Sequence, residues 1–304
     1  MSASNLQKRL FFAAWAVPLG WWAVNSRLAL LRSTLVDNLH MNSDIQMYPG
    51  VLLSIILLFV AASEYLNMLS ISYPRNGFWL SYIWLGYGIL SYFFPGLSLS
   101  SLYDTYILLL IVAVEAIFWG KNTGRWKRAS LLFSGMVFLS IAVHSLIYLY
   151  REPMQSVFPR QFETTMLSQL GIMTVLASVF LCDTAAYFAG KYLGTHHFSR
   201  ISPRKTVEGS VAGLIASITV MTLGWHFLAS PRYPLVLGVL AGIIIGTFAQ
   251  LGDLIVSLMK RNFHVKDASN IIPGHGGILD RFDSLFFTAP VLNLYLLVVT
   301  KVIG

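Results

Sequence analysis

The sequence predicts an all-α fold, a polytopic membrane bundle of about nine transmembrane helices. Three observations carry this expectation. Charged residues make up 11% of the 304 positions, against about 25% in soluble domains, while hydrophobic residues make up 56%. Apolar runs of about 20 residues, the length that crosses a bilayer core, recur from one end of the chain to the other. The basic residues are also unevenly placed. With the N-terminus inside, fifteen of the 21 Lys and Arg fall on the inner side, leaving Arg27, Arg32, Arg151, Arg160, Arg232 and Lys301 outside. That is the positive-inside pattern. The formal net charge of +8 therefore reports topology, and no nucleic-acid partner is expected.

Lys8-Arg9 followed by Leu10–Trp22 has the outline of a signal peptide but no small-residue cleavage site, so it reads as a retained first span with a cytoplasmic N-terminus. Residues 23–46 are too polar to span and read as lying along the outer surface. Further spans are expected at 47–66, 77–94, 102–120, 130–150, 166–190, 210–229, 235–259 and 284–303. The cluster Lys121–Arg128, with Trp119 and Trp126, reads as an anchor at anionic headgroups. Glu64 and Glu115 fall inside predicted spans, where an ionised side chain costs about 2.5–3.5 kcal/mol on insertion scales. Pairing across helices, protonation or a place near a helix end would each accommodate them. Residues 1–164 otherwise read as a chemically quiet, structural half. The single cysteine, Cys182, excludes an internal disulfide and reads as a packing residue.

The chain changes character near Thr165, and residues 165–304 read as the catalytic half. In L-C-D-T-A-A-Y-F-A-G-K, Asp183, Tyr187 and Gly190/Lys191 share one helix face. The basic inner loop I-S-P-R-K-T-V-E-G follows, with Ser202, Lys205, Thr206 and Glu208. His196-His197 in the intervening loop read as surface residues. Gly238, Gly242 and Gly246 repeat every four residues and predict close helix packing, within the chain or at a dimer contact.

Residues 253–283 hold four of the thirteen acids, four cations and two of the seven histidines between almost unbroken apolar segments. Such charge at a membrane helix end is costly and calls for a ligand. Gln250, Asp253, Ser257 and Lys260/Arg261 recur at helical spacing as one polar stripe. Pro273, Gly274, Gly276 and Gly277 permit a tight turn whose amides can approach a phosphate. Asp280 and Asp283 then share a face at the next helix start. Asp183, Glu208, Asp253, Asp267, Asp280 and Asp283 cluster within about a hundred residues whose loops share one side. Hard carboxylates with Lys and Arg suit a magnesium–polyphosphate ligand.

S-L-M-K-R-x4-K-D-x-S-x2-I-P-x-H-G-G-I-x-D-R-F-D, from Ser257 to Asp283, resembles the full signature of the phosphatidate cytidylyltransferases (CDP-diacylglycerol synthases). The stretches around Asp183 and Lys205 resemble that family's D-T-x-A-Y-x-x-G and S-P-K-K-T-x-E-G, with Ala185 and Arg204 as mild departures. The resemblance covers about 165–304. It implies transfer of a cytidylyl group from CTP to phosphatidate in phospholipid synthesis, giving CDP-diacylglycerol and pyrophosphate. It also implies metal binding, Mg2+ or Mn2+, by Asp280 and Asp267, supported by Asp283 and Asp253, with Asp183 completing the site. Lys260, Arg261, Lys266 and Arg281 would hold phosphates, with Ser257, Gly276 and Gly277 alongside, and Ser202, Lys205 and Glu208 would close the site. His275 would act as general acid or as a hydrogen-bond donor to phosphate. A second, monovalent cation such as K+ and a homodimeric assembly follow from the same resemblance, while the positive-inside pattern puts the active-site loops on the cytoplasmic side of an inner membrane.

No serine nucleophile motif and no P-loop occur in the sequence. An ionised phosphate monoester needs neither in order to attack a triphosphate; shielding the phosphate charge is the main requirement. Two alternatives stand beside this reading. One is a related transferase with another lipid acceptor. The other is an ion-coupled transporter, although transporters tend to repeat their polar helices in both halves.

Overall fold

The computed structural model describes residues 49–72, 125–149, 166–197, 205–271 and 276–303, with positions 86, 157 and 202. They form six helices: α1 Pro49–Ser72, α2 Arg125–Leu149, α3 Met166–Tyr192, α4 Val207–Leu228, α5 Leu235–Asn262 and α6 Leu279–Ile303. Among the described residues no strand forms, only isolated bridge residues such as the pair His197 and Thr206, so the all-α expectation holds. Helices α2 to α6 are each long and apolar enough to cross a membrane, and α1 adds the shorter apolar stretch Ile55–Ile71. The expected spans at 10–22, 77–94 and 102–120, the segment 23–46, Glu115 and the first residues of the 121–128 cluster lie outside the described residues.

A helix satisfies its own backbone donors and acceptors, which hydrocarbon requires of any spanning segment. Its exterior can then be apolar. Leu223, Phe227, Leu294, Val298 and Val302 are exposed, whereas Glu64, Ser178, Ser217, Lys260 and Asp283 are buried. Several boundaries differ from the hydropathy expectation, α2 starting at Arg125 instead of 130. Helix α6 starts at Leu279 instead of 284, and α1 continues to Ser72 instead of 66. Helix α6 extends past its apolar run where Asp280 finds a partner in Lys260 on α5.

Helix α4 packs against both α3 and α5, α6 against α5 and α2, and α1 against α2. The Tyr65 hydroxyl donates to the Leu131 carbonyl at 2.5 Å, setting the second half of α1 beside the start of α2. At the opposite end the Asn293 amide donates to the Ser145 carbonyl at 2.6 Å, and the Arg232 Nε donates to the Ile303 carbonyl at 2.8 Å. The ends of α1, α3 and α5 and the starts of α2, α4 and α6 therefore gather on one side. The site residues lie there.

The glycine stripe is an intrachain seam. A Cβ at Gly242 would come 2.5 Å from Ile218 Cα and 3.0 Å from the Ser217 carbonyl, and one at Gly238 would meet Trp225. Bare backbone at these positions lets α4 and α5 approach closely enough for Ser217 Oγ to donate to the Gly242 carbonyl at 2.9 Å. Gly242→Ala has backbone, not a flexible side chain, in its way. It should lower stability by about 1–3 kcal/mol, the usual cost of overpacking, seen as a lower melting temperature in detergent. An unchanged melt would show that the seam can open without penalty.

Candidate functional site

Two clusters of charge occupy the gathered helix ends. The first is built on the loop before α4. The Ser202 carbonyl accepts from the Lys205 amide at 3.0 Å, and Thr206 caps α4 by accepting from the Gly209 amide at 3.2 Å. Gly190 lets the end of α3 approach this cap, because a Cβ there would lie 2.9 Å from the Thr206 hydroxyl. Held in this way, Lys205 places its Nζ 2.7 Å from Asp253 Oδ2 on α5. Ser257, one turn further along α5, donates to Asp253 Oδ1 at 3.2 Å. Asp183 on α3 feels the charge of Asp253, while the Ser284 hydroxyl donates to Asp283 Oδ1 at 3.4 Å. Buried Asp283, on α6, feels both Asp253 and Asp183. Three helices thus bring three carboxylates into mutual electrostatic range, with Lys205, Arg281 and Lys260 as compensating cations.

The second cluster holds the signature loop. Lys260 Nζ and Asp280 Oδ1 form a buried ion pair at 2.6 Å. Asp280 Oδ2 accepts from the Ala268 amide at 2.8 Å and the Gly277 amide at 2.9 Å. The Gly277 amide, expected to face a phosphate, thus serves Asp280 here. Gly276 has a φ of 82°, and a Cβ on it would lie 2.8 Å from Asp280 Oδ2, so glycine suits this turn on both counts.

Glu64, in the half read as quiet, belongs to the same cluster. Its carboxylate is fully buried and accepts three hydrogen bonds. Ser269 Oγ donates at 2.6 Å, the Ile278 amide at 2.9 Å and the Leu279 amide at 2.7 Å. A Cβ at Gly277 would come 2.6 Å from Glu64 Oε2. Sequence reasoning passed over Glu64 and Ser269 as site residues. The available signal was an acid in an apolar helix, combined with a helix start at 278–279 that has no Ser, Thr, Asp or Asn to cap it.

Other expected residues lie further out. Lys266 and Asp267 are exposed, and Arg261 is exposed with its guanidinium donating to the Val265 carbonyl at 3.1 Å. Glu208 is occupied by the α3–α4 loop, accepting from Thr195 Oγ1 at 2.7 Å and pairing with His196 Nδ1 at 2.6 Å. His196 therefore does more than sit on the surface. His275 and Arg204 lie outside the described residues. Among the described residues no three His, Cys, Asp or Glu side chains stand in ligating geometry. The donor chemistry of Asp183, Asp253 and Asp283, oxygen from three rigid helices, nevertheless suits a hard divalent cation.

A family model of the cytidylyltransferase family matches residues 43–299, which include α1, both charge clusters and almost all of α6. The chain belongs to the cytidylyltransferase family. Among curated relatives, the phosphatidate cytidylyltransferase of Staphylococcus saprophyticus is 36% identical over 248 residues, covering 81% of this chain and 89% of the relative. That of a Synechocystis strain is 43% identical over 148 residues, 48% of each protein. That of Staphylococcus haemolyticus is 45% identical over 127 residues, 41% of this chain and 48% of the relative. The last two alignments span about half the length of those relatives.

In this family member the Lys260–Asp280 pair should prove a strong structural contact. Removing one partner of a buried ion pair costs about 3–5 kcal/mol. Lys260→Met and Asp280→Asn should each lower the detergent melting temperature, and the double variant should be less unstable than the sum of the two. Strict additivity would show that the two side chains do not act on each other.

Proposed function

We propose that the chain is a phosphatidate cytidylyltransferase of a bacterial inner membrane. The lipid phosphate oxygen attacks the α-phosphorus of CTP, the bond to the β-phosphate breaks and pyrophosphate leaves. The observation that carries this reading is the family match over residues 43–299, together with a Staphylococcus saprophyticus relative of that name that aligns over 89% of its length.

The charge arrangement supports a division of labour. Asp280 has both oxygens taken by Lys260 and loop amides, so it shapes the loop. Asp183, Asp253 and Asp283 are the carboxylates that would hold Mg2+ or Mn2+, with Asp267 at the exposed edge. Such an ion would shield the equatorial phosphate oxygens and the departing pyrophosphate. Lys205, Lys266 and Arg281 would bind and orient the phosphates, and Ser257 would fix the rotamer of Asp253. With the nucleophile already anionic, the residues have little covalent chemistry to perform; orientation and charge neutralisation are the work.

Purified protein should release pyrophosphate from CTP only when phosphatidate is present. EDTA should abolish this turnover and Mg2+ restore it, while Asp253→Asn and Asp283→Asn should each lose at least about a hundredfold, equivalent to about 2.7 kcal/mol of barrier. Release that ignores phosphatidate would remove the proposed reaction, and full activity in chelator would remove the metal.

The positive-inside pattern supports a cytoplasmic position for the gathered helix ends. Single cysteines at Leu193 and Asn270, in a Cys182→Ser background, should react with an impermeant maleimide in inverted vesicles and stay unlabelled in intact cells. The reverse result would invert the orientation.

A further inference from the structure

We infer that Glu64 is a positioning residue for the reaction: from α1 it fixes the signature loop and the start of α6 in the arrangement that catalysis uses. The inference rests on the function proposed above and goes beyond it, because Glu64 lies outside the signature and outside the carboxylates that would meet substrate or metal.

The argument begins with the start of α6. The first amides of any helix lack intrahelical partners. Local capping would need a short polar side chain, and the position before Leu279 is Ile278. Glu64 takes that role from a distance of more than 200 positions, accepting from the Ile278 and Leu279 amides. A negative charge is also favourable at a helix N-terminus. The carboxylate then does a second thing, accepting from Ser269 Oγ on the other limb of the same loop. One side chain therefore sets the spacing between residues 269 and 278, the two limbs that flank the turn. Gly277 has no side chain where Glu64 approaches.

Inside that clamp sits Asp280. Its oxygens take the Ala268 amide, next to Ser269, and the Gly277 amide, next to Ile278. Glu64 and Asp280 hold the same two backbone limbs from neighbouring positions. Releasing Glu64 would let the limbs separate and would disturb Asp280, Asp283 and the adjoining Lys266 and Asp267 together. All three groups facing Glu64 are donors. A carboxylate suits this environment; an amide of the same shape would turn its own NH2 toward one of them and leave that hydrogen bond unmade.

Glu64→Gln is the test, read in two ways. Amide hydrogen exchange should accelerate for residues 268–280 while the α4–α5 seam keeps its protection. Per folded molecule, kcat should fall at least tenfold. Ser269→Ala should fall less, and the double variant should lose less than the product of the two single losses. Wild-type kcat and loop protection in a folded Glu64→Gln protein would overturn the inference. So would a loss of activity that only tracks the folded fraction, with the loop protected as in the wild type. If the wild type itself fails to use CTP, the proposed reaction falls. The exchange measurement still decides whether Glu64 holds the loop.

Discussion

A charged or hydrogen-bonding group buried between membrane helices has little water to fall back on, so it must be met by other protein groups. At the site end of this bundle that requirement shapes the local structure. Asp280 takes an ammonium and two amides, and Glu64 takes a hydroxyl and two amides. Between them these two carboxylates engage both limbs of the signature loop. The glycine pair at 276–277 has its place because two carboxylates need to come close to bare backbone. The early start of α6 has the same cause, since its first amides have a partner that the local sequence does not provide.

The loop's rigidity would be of little use on a mobile frame. Small residues along α4 and α5 bring the helix backbones together, and hydroxyls reach backbone carbonyls of the next helix, Ser178 of α3 to Ser217 of α4 and Ser217 to Gly242 of α5. Contacts of this kind hold helices together where lipid removes the hydrophobic drive between them. Asp183 and Asp253 are carried on α3 and α5, the two helices that α4 joins, so their separation is set by the backbone more than by side-chain flexibility.

Much of this was readable beforehand. Long apolar runs gave the helices within the described residues, and the 257–283 pattern singled out the loop. The polar stripe on α5 correctly placed Asp253 and Ser257 one turn apart. What hydropathy could not show was where the helices end, because α6 continues through Asp280 and Asp283 on the strength of tertiary partners. The glycine stripe had the right chemistry, but a four-residue period is the same whether the facing helix is in the chain or in a second copy. Glu64 left a signal as an acid in an apolar helix, but its partners were hidden for a different reason. Two of its three partners are backbone amides, which leave no mark on sequence, and the third, Ser269, lies 205 positions away. Glu208 and His196 are separated by only 12 positions, yet a histidine in a polar loop does not announce its partner.

The sequence distance between Glu64 and its donors has a consequence for how the protein is made. The chain leaves the ribosome from its N-terminus, so α1 enters the membrane well before Ser269, Ile278 and Leu279 have been synthesised. Throughout that interval Glu64 cannot have the environment it has in the finished bundle. Contacts of such long range close late, because the loop entropy between them must be overcome first. The later synthesis of the loop and of α6 therefore brings the donors that Glu64 has been missing. A chain truncated before Ser269 would keep an acid in an apolar helix with none of these three donors, and that unmet carboxyl group would distinguish an unfinished protein from a finished one.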